Sequence, residues 1–467
     1  MYPALGAPGG QVRAGKDGGR GASRPRADGP RAIIAAMVRL RNGAAAAALG
    51  ILLAGGLAAE EIALRAGVAR VEITPGSFMP MYGYARRKCG PANGTHDPLL
   101  AKALVLATGD TRIAIVTLDI GNLVSANLAR DVREKLGIPV LLLSASHTHS
   151  GPAFLTSGDE ENLPGTAYLK EIEGKVFEAV RQANESLFPA RLTYGRGALQ
   201  LGYNRLQERE DGRARAVFEN PERVPYGPVD PEFMLLRVED AAGAARAILV
   251  HYACHAVVLG PTNCKYSADF PGVMQARVEA ALPGAQCMFV QGGAGDINPL
   301  FMGRTGIEEQ DFAQVTKMGE LLAAAVVRTN KDLKPAAPLR DPIRFATTTM
   351  PFHDRWDKEK NLDIGITTVL INREIAIAAV PGEPLHKLQT QWKKQAEVPF
   401  PLFYGYTYSN GGIWPGYIPD LRSAAYGGYG ADTSTRIEVG AGEAIMERQL
   451  IQLYGLMGMW KDKPGRP

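Results

Sequence analysis

Residues 144–152 have the sequence Ser-Ala-Ser-His-Thr-His-Ser-Gly-Pro and follow an apolar run at residues 139–143. The apolar run predicts a buried strand, and the Gly-Pro pair ends the segment. Because side chains alternate between the two faces of a strand, we expect His147 and His149 to point to the same side. Two imidazoles that converge at the end of a strand indicate a metal site or a proton-transfer site. The alternative is a hydrogen-bonded histidine pair in a surface turn.

The composition is that of an ordinary globular protein. The chain has 467 residues, of which 46% are hydrophobic and 21% charged, enough for one large domain or two smaller ones. The net charge of +4 is small and partly due to the N-terminal arm, so we expect no nucleic-acid partner. The whole chain contains only seven histidines, so two of them within three residues are a local concentration.

The N-terminal part of the chain has two patterns. Residues 1–36 are rich in Gly, Arg, Ala and Pro, which predicts a disordered extension. Met37 begins a basic segment, followed by an apolar run at residues 44–57 and small residues. This order is typical of a secretory signal peptide at residues 37–59, so we expect translation from Met37 and export to the periplasm or the outside, with cleavage near Ala59. The alternative is a buried Ala-rich helix; the run is too short for a permanent membrane span.

Export would allow the cysteines to oxidise. Cys89, Cys254, Cys264 and Cys287 allow three pairings, and the sequence does not choose among them. A thiol role for Cys254 or Cys264, which flank a predicted loop, stays open. The chain has no CxxC motif, so we expect no structural zinc knuckle.

Strand and helix patterns alternate through residues 60–460, with no internal repeat and no linker that would divide them. Residues 99–107 and 113–120 are apolar runs around a Thr-Gly-Asp turn and predict a hairpin. Residues 167–187 and 311–329 carry apolar side chains at three- and four-residue intervals and predict helices. We therefore expect a single large α/β domain in which helices flank a mixed β-sheet core.

Two stretches are predicted to lie outside that core. Residues 200–228 are polar and rich in charges, which indicates an excursion over the surface. Residues 400–429 are rich in Gly, Tyr, Pro and Asn, which predicts an irregular segment. Loops of this kind often cover a functional site.

Several predicted strands end in the most chemically capable residues of the chain, namely His147 and His149, His255, Asp296 and Glu383. Open α/β sheets place their sites at the carboxyl ends of strands. Two histidines and a glutamate delivered to one edge would form a three-ligand zinc site with an open position.

The strand that leads to His255 contains a second histidine, His251. Because His255 lies nearer to the predicted strand end, it is the predicted ligand. We expect His251 to pack and to hydrogen-bond inside the fold.

A glycine-rich loop at residues 292–299 follows another short predicted strand. Backbone N–H groups in such a turn can form a nest for an anion or for a developing oxyanion. Asp296 in this loop is a candidate to orient a histidine or to support a metal ligand.

Taken in order, these motifs resemble the neutral/alkaline non-lysosomal ceramidase family. The resemblance rests on residues 147–152, on Cys254-His255 with Ser267-Ala268-Asp269, on residues 295–299, and on Pro381-Gly382-Glu383. Early residues, 71–75 and 81–84, are similar to the opening of the family. The similarity covers about residues 65–455, which correspond to the family's N-terminal catalytic domain.

The resemblance implies a fold, a reaction and a set of site residues. Enzymes of this family cleave the amide of ceramide with one zinc ion. The resemblance implies four zinc ligands, namely His147, His255, Glu383 and Tyr417. It also implies a proton-transfer role beside the metal for His149, and a place in the pocket lining for Asn204 and Arg205.

Two features depart from the family pattern. Asn298 stands where the family has a serine described as the nucleophile, and asparagine cannot form an acyl-enzyme. We therefore expect direct attack by a metal-activated water, with His149 protonating the leaving amine and Asn298 or nearby N–H groups stabilising the oxyanion. The chain ends at Pro467, so we expect no C-terminal immunoglobulin-like domain, which puts lipid specificity in question.

The sequence thus predicts a ceramidase-like, zinc-dependent hydrolase of linear amides that takes a lipid or small-molecule N-acyl substrate and one Zn²⁺ per chain. Peripheral contact with a membrane surface is compatible with such a substrate. A catalytically silent binding protein is one alternative, favoured by the loss of the serine. A zinc-dependent esterase that uses the same site is another.

Overall fold

The computed structural model describes residues 62–87, 89–153, 164–409 and 411–460. The expected N-terminal extension and signal peptide, residues 1–59, lie outside these ranges and stay predictions. Within the ranges, no helix combines the length and the apolarity needed to cross a membrane.

The described residues form twenty-two strands. In chain order they are β1 (Leu64–Glu72), β2 (Gly94–Thr95), β3 (Leu100–Thr108), β4 (Thr111–Leu118), β5 (Val140–Ala145), β6 (Phe188–Ala198), β7 (Gly202–Asn204), β8 (Leu206–Glu208), β9 (Ala214–Ala216), β10 (Glu232–Asp240), β11 (Ala245–Tyr252), β12 (Lys265–Tyr266), β13 (Gln286–Gln291), β14 (Ile297–Pro299), β15 (Lys334–Pro335), β16 (Arg344–His353), β17 (Asn361–Ile371), β18 (Ile375–Ala379), β19 (Glu383–Pro384), β20 (Phe400–Tyr404), β21 (Thr407–Tyr408) and β22 (Tyr417–Ile418).

The same residues form seven α-helices and one short 3₁₀ turn, Asn330–Asp332. The helices are α1 (Ala126–Leu136), α2 (Pro164–Glu185), α3 (Asp269–Ala281), α4 (Glu308–Thr329), α5 (His386–Gln395), α6 (Leu421–Tyr426) and α7 (Ala441–Leu456). Local chemistry sets some of these bounds. At the start of α1 the Ser125 hydroxyl accepts the Leu128 N–H at 3.0 Å, and Gly137 ends the helix with a φ of 66°.

The largest sheet has ten strands in the order β13-β11-β10-β6-β1-β3-β4-β5-β21, with β15 beside β6. The pairs β4–β5 and β11–β13 are parallel and the others antiparallel, so the sheet is mixed, as predicted. Its two halves are joined only by the two-residue pairing of β1 with β6. The strands that carry the predicted ligands, β5 and β11, lie in opposite halves.

A four-stranded sheet, β16-β17-β18-β20, packs against the large sheet. The shared core contains Leu142 of β5, Leu249 of β11, Ile377 of β18 and Leu402 of β20. Helices α1 to α4 cover the other face of the large sheet, while α5 and α7 cover the other face of the smaller one. The result is a helix–sheet–sheet–helix arrangement, which confirms the predicted class of helices flanking a mixed sheet core.

Several element predictions are confirmed. β3 and β4 form the expected hairpin, with Thr108 opposite Thr111 at the turn. Helices α2 and α4 lie within three residues of the predicted bounds, because their apolar spacing does mark a buried face.

Two stretches predicted to lie outside the core contribute buried strands. Phe400–Tyr404 is fully buried and pairs in parallel with β18, so the prediction of an irregular segment is wrong there. Gly202–Asn204 is also buried and pairs with β14, although the surrounding sequence is polar. In both cases the neighbouring Gly, Pro and charged residues mask a short strand whose partners are remote in sequence.

The structure also chooses among the cysteine pairings. Cys89 and Cys264 form a disulfide, whereas Cys254 and Cys287 are free and buried. Burial raises the pKa of the Cys287 thiol to about 12 and that of Cys254 well above its ordinary value. Both free thiols therefore stay protonated near neutral pH, which argues against a nucleophilic role for Cys254.

A candidate metal centre

His147 and His149 lie beyond the end of their strand rather than in it. β5 ends at Ala145, and His147 has a left-handed φ of 63°. Its N–H donates to Ile120 O at 3.0 Å, which helps to hold this unusual conformation. The two imidazoles are packed edge to face with ring centres 5.0 Å apart. The histidines thus converge as predicted, but through a left-handed turn and not through strand alternation.

His255 and Glu383 reach the same place from two other segments. β11 ends at Tyr252, and the His255 N–H donates to Ile297 O at 3.0 Å. Glu383 begins β19, a two-residue strand in which it lies opposite Tyr417 of β22. The centre therefore draws on both halves of the large sheet and on the chain after β18, as the strand-end argument predicts.

Hydrogen bonds fix the orientation of two imidazoles. The Nδ1 atom of His147 lies 2.7 Å from Gly121 O, and that of His255 lies 2.6 Å from Ala294 O. Because a carbonyl oxygen only accepts hydrogen bonds, each Nδ1 must carry the proton. In the neutral imidazole, each Nε2 then presents a lone pair.

Both Nε2 atoms face a single carboxylate oxygen. Glu383 Oε2 lies 3.3 Å from His147 Nε2 and 3.2 Å from His255 Nε2. Three acceptors at these distances repel one another unless a proton or a cation lies between them. Burial lowers the pKa of His255 to about 4, so near neutral pH this imidazole is not the source of a proton.

Glu383 is negatively charged in this setting. Burial acts to raise its pKa, but His147 and His255 outweigh that effect and hold the pKa of Glu383 well below its usual range. Two imidazole nitrogens and a carboxylate oxygen are a typical donor set for zinc. Imidazoles whose other ring nitrogen donates to a backbone carbonyl are also typical of metal ligands.

His149 is the third histidine of the cluster. One ligand atom from each of His147, His149 and His255 can be chosen so that all lie within 4.8 Å of one another. The Nδ1 atom of His149 is buried and has no hydrogen-bond partner among the described residues. Burial and the two nearby histidines lower the pKa of His149 well below its ordinary value. A neutral imidazole in this position can either bind a metal or accept a proton.

Close packing fixes the His149 ring. The Tyr84 ring lies 4.8 Å from it and the Tyr82 ring 5.6 Å, both edge to face. A Cβ atom at Gly83 would lie 2.2 Å from the ring, so this position requires glycine for its space and for its φ of 92°. Arg87 donates to the His149 carbonyl oxygen at 2.5 Å.

Tyr417 and Arg205 lie at one side of the histidines. The Tyr417 ring centre is 6.5 Å from that of His255, and the Arg205 guanidinium carbon is 5.3 Å from the Tyr417 ring centre. Arg205 is buried and donates to Gly295 O at 2.6 Å and to Asn298 Oδ1 at 3.1 Å. Asn298 therefore contacts the site through Arg205, with its side-chain oxygen already used.

Three N–H groups of the glycine-rich loop are engaged within the protein and are not available to form a nest. The N–H groups of Gly292, Gly293 and Gly295 donate to Tyr252 O, Gln389 Oε1 and Pro384 O, respectively. These three donors are used because the loop is clamped between β11, α5 and the segment after Glu383. Its carbonyl groups face the site instead and accept hydrogen bonds from the His255 and Arg205 side chains.

Asp296 orients a histidine, as predicted, but the histidine is His386. The Oδ2 atom of Asp296 lies 2.6 Å from His386 Nδ1 and accepts a hydrogen bond from Asn204 Nδ2 at 3.0 Å. The Oδ1 atom of Asp296 accepts the backbone N–H of His386 at 2.9 Å. These bonds tie together the segments that carry Arg205, Asn298 and Glu383. The contacts of Asp296 are therefore those of a positioning residue.

The Asp296–His386 pair should make stability depend on pH. Burial opposes both charges, but each partner outweighs it, lowering the pKa of Asp296 and raising that of His386. The contribution of Asp296 to the free energy of unfolding is present above about pH 4 and is lost as the pH falls through the lowered pKa of Asp296. The contribution of His386 is full below about pH 6.5 and lost as the pH rises through its raised pKa.

We therefore expect His386→Gln to lower the unfolding temperature more at about pH 5.5 than at about pH 9. Thermal unfolding of the variant and the wild type across this range measures the difference. His353→Gln, a change at an exposed histidine, is the control and should show no such trend. A temperature difference that is the same at both pH values would contradict the assignment of charge to the pair.

Gln291 links the two ligand-bearing turns and was not recognised in the sequence. It is fully buried at the end of β13. Its Nε2 donates to Ser146 O at 3.0 Å and to Cys254 O at 2.8 Å, and its Oε1 accepts the Cys254 N–H at 3.1 Å. Ser146 and Cys254 directly precede His147 and His255. One side-chain amide thus sets the spacing of both predicted ligands.

Replacing Gln291 with methionine should weaken zinc affinity about 10–100-fold, because the turns lose their common support. The unpaired backbone groups should lower the free energy of unfolding by about 1–3 kcal/mol. Zinc titration of the folded variant measures the first effect. Gln449→Met is the matched control, since Gln449 is also fully buried and donates to Thr367 O and Ala379 O in the smaller sheet. Wild-type zinc affinity in Gln291→Met would refute the role.

The two stacked sheets and the buried histidine–carboxylate cluster define an α/β domain with a candidate metal centre. Residues 64–349, more than half of the chain, match the family model described as neutral/alkaline non-lysosomal ceramidase, N-terminal. The chain therefore belongs to this family.

Two curated relatives and two solved structures resemble the chain. Neutral ceramidase A of Dictyostelium discoideum is 27% identical over 264 residues, 51% of this chain and 36% of that protein. Neutral ceramidase B of the same organism is 27% identical over 178 residues, 35% of this chain and 24% of that protein. The matched part is therefore about a third of the length of the first relative and less of the second.

The solved structures establish the likeness of fold. A ceramidase complexed with C2 has a TM-score of 0.70 at 15% identity, covering 87% of this chain and 77% of that chain. The crystal structure of neutral ceramidase from Pseudomonas aeruginosa has a TM-score of 0.69 at 16% identity, with coverages of 87% and 76%.

Proposed function

We propose that the protein hydrolyses the amide bond of an N-acyl lipid such as ceramide, or of a related N-acyl compound, and requires one zinc ion. We assign the metal to His147, His255, Glu383 and Tyr417. Membership of the family supports the reaction, and the names of both curated relatives support the substrate class.

One observation carries the proposal. The Nε2 atoms of His147 and His255 face the same oxygen of Glu383 at 3.3 and 3.2 Å. This arrangement of acceptors fits a divalent cation, which would replace mutual repulsion with coordination. When bound, zinc supplies Lewis-acid chemistry, polarising a carbonyl and lowering the pKa of water to about 7.

The side chains around the cluster supply the proton transfers. The water oxygen forms a bond to the carbonyl carbon, and the carbonyl electron pair moves onto its oxygen. His149, which is neutral and has a buried Nδ1 without a partner, accepts the water proton. When the C–N bond breaks, His149 returns this proton to the nitrogen, giving an amine and a carboxylic acid, whose remaining proton then passes to the amine to leave a carboxylate and an ammonium ion.

Asn298 and Arg205 do not act as nucleophiles. Asn298 holds Arg205, and Arg205 supplies a positive charge near the reacting atoms. Asn298 has no hydroxyl to acylate, and its Oδ1 is held by Arg205. The Arg205 guanidinium stays charged, because Tyr417 and Glu383 outweigh the opposing effect of burial and raise its pKa. Its positive charge favours a negatively charged transition state at the neighbouring cluster.

Aromatic side chains enclose the centre and suit an acyl substrate. The rings of Tyr406, Tyr82 and Trp414 lie 4.7, 5.4 and 6.2 Å from the His147 ring. Such surfaces exclude water and offer apolar contact to a hydrocarbon chain.

We also propose that the protein is exported. The Cys89–Cys264 disulfide supports an oxidising compartment, in agreement with the predicted signal peptide. Mass spectrometry of the protein recovered from its native compartment, without reductant, should find the disulfide and an N-terminus near residue 60. A reduced cytoplasmic protein would contradict this proposal.

Amide hydrolysis by the full chain tests the main proposal. Bound metal is removed from the protein with a chelator, and zinc is added back to one half of the sample. Both halves are assayed on N-acetylsphingosine, a long-chain N-acylsphingosine and an ester analogue. We expect the zinc-loaded protein to release free sphingosine and a carboxylate, and the stripped protein to release neither. Binding without cleavage would favour the silent binder, and cleavage of the ester alone would favour the esterase.

A further inference from the structure

Tyr406 lies between the two segments that carry predicted ligands. Its N–H donates to Gly382 O at 3.1 Å, and its carbonyl oxygen accepts the Ala145 N–H at 3.1 Å. Gly382 directly precedes Glu383, and Ala145 lies two residues before His147. These bonds help to hold Tyr406 in a left-handed conformation with a φ of 55°. Such strain in a non-glycine residue is concentrated at functional sites.

The Tyr406 side chain is aimed into the candidate metal centre. Its ring centre lies 4.7 Å from that of His147 and 5.9 Å from that of His255. The residue is fully buried, and its hydroxyl has no hydrogen-bond partner within the described part of the chain. A buried hydroxyl without a partner destabilises a fold, so its retention calls for an explanation.

Several other donors around the centre are already used. The Nδ1–H groups of His147 and His255 donate to backbone carbonyls, and Arg205 donates to Gly295 O and Asn298 Oδ1. The N–H groups at the start of the glycine-rich loop donate within the protein. The Tyr406 hydroxyl, in contrast, is a donor without a partner among the described residues.

We propose that Tyr406 is a further catalytic residue, whose hydroxyl donates a hydrogen bond to the substrate carbonyl oxygen as that oxygen becomes an oxyanion. The inference rests on the proposed amide hydrolysis. As water adds to the carbonyl carbon, the electron pair of the C=O bond moves onto the oxygen that accepts from Tyr406. When the C–N bond breaks, the pair returns, the hydrogen bond weakens and the phenol keeps its proton throughout.

The test removes only the hydroxyl. In Tyr406→Phe we expect wild-type zinc content, nearly unchanged KM and a kcat lowered about 10²–10³-fold, as for loss of an oxyanion donor. The unfolding temperature of the metal-free variant should equal or exceed that of the wild type, because an unpaired buried hydroxyl has been deleted. A purely structural role would lower this temperature.

Tyr404→Phe is the matched control. Tyr404 is also fully buried with a hydroxyl that lacks a partner, but its ring stacks 6.4 Å from His251, outside the centre. This variant should keep wild-type kcat. A kcat for Tyr406→Phe within twofold of the wild type, or an equal fall in both variants, would overturn the proposal.

A readout that does not need turnover separates this inference from the proposed function. Acetohydroxamate presents an anionic oxygen to a metal centre, and its affinity for the zinc-loaded protein can be measured by calorimetry. Tyr406→Phe should bind it at least tenfold more weakly than the wild type, and Tyr404→Phe should not. If the wild type binds zinc and hydroxamate without hydrolysing amides, the proposed function fails. The hydroxamate affinity of Tyr406→Phe then still tests whether the Tyr406 hydroxyl donates the hydrogen bond. Loss of zinc from Tyr406→Phe would reassign the residue as a ligand and overturn the donor role.

Discussion

Replacing His255 with alanine should leave the protein without tightly bound zinc and lower kcat/KM for N-acetylsphingosine by at least about 10³-fold, since a Lewis acid supplies several kcal/mol of transition-state stabilisation. The change removes one of the two imidazoles that face Glu383 Oε2. Elemental analysis after gel filtration measures the metal, and the release of sphingosine measures turnover. His147→Ala should have the same effects for the same reason.

His251→Gln is the control for these changes. His251 is buried four residues before His255, but its Nε2 lies 2.7 Å from Phe403 O, so it packs inside the fold as predicted. The control should lose some stability and keep its zinc. Full metal content and activity in both alanine variants would show that the ligand assignment is wrong.

Replacing His149 with glutamine should leave zinc content unchanged and lower kcat about 10²–10⁴-fold, the range expected for loss of a general acid–base group. The expectation follows from assigning the metal to His147, His255 and Glu383, which leaves His149 as the neighbour with an unused Nδ1. The fall in kcat should shrink for substrates with a better leaving group, because these need less help from a proton donor. Metal analysis and turnover of amide and ester substrates measure both parts.

The alternative for His149 is direct ligation, which the proximity of the three histidines allows. In that case His149→Gln would lose zinc along with activity, and the proton-transfer role would be refuted. His353→Gln, at an exposed residue of β16, should change neither quantity and controls for general effects of histidine replacement.

The fold class could be predicted because its signals are local. The hairpin β3–β4 has both strands and its turn within twenty residues, and α2 and α4 present apolar side chains at helical spacing. Phe400–Tyr404 could not be assigned in this way. Its partner strand β18 lies some twenty residues upstream, and only their parallel pairing makes this Pro-containing segment a strand.

The convergence of the candidate ligands could be predicted from residue type and from position after a strand. His147, His255 and Glu383 each follow an apolar run and meet in the structure. The backbone that brings them together was not predictable, because the left-handed turn at His147 depends on a contact with Ile120.

The supporting residues carry no comparable signal. Gln291 is one polar residue at the end of an apolar strand, and its three partners lie in two other turns. Tyr406 is one of sixteen tyrosines, and nothing near it in sequence marks it as the one whose ring packs on two site histidines. His386 is related to Asp296 only through the fold. Such residues are defined by tertiary contacts alone.

X-ray absorption spectroscopy of the zinc-loaded full chain tests the central assignment most directly. We predict one zinc ion per chain with two imidazole nitrogens and carboxylate and phenol oxygens at about 2.0–2.2 Å, and loss of one imidazole from this shell in His255→Ala. Three results would each contradict a centre built on His147, His255 and Glu383. These are a shell of three imidazoles in the wild type, a shell that does not change in His255→Ala, and a wild type that binds no zinc.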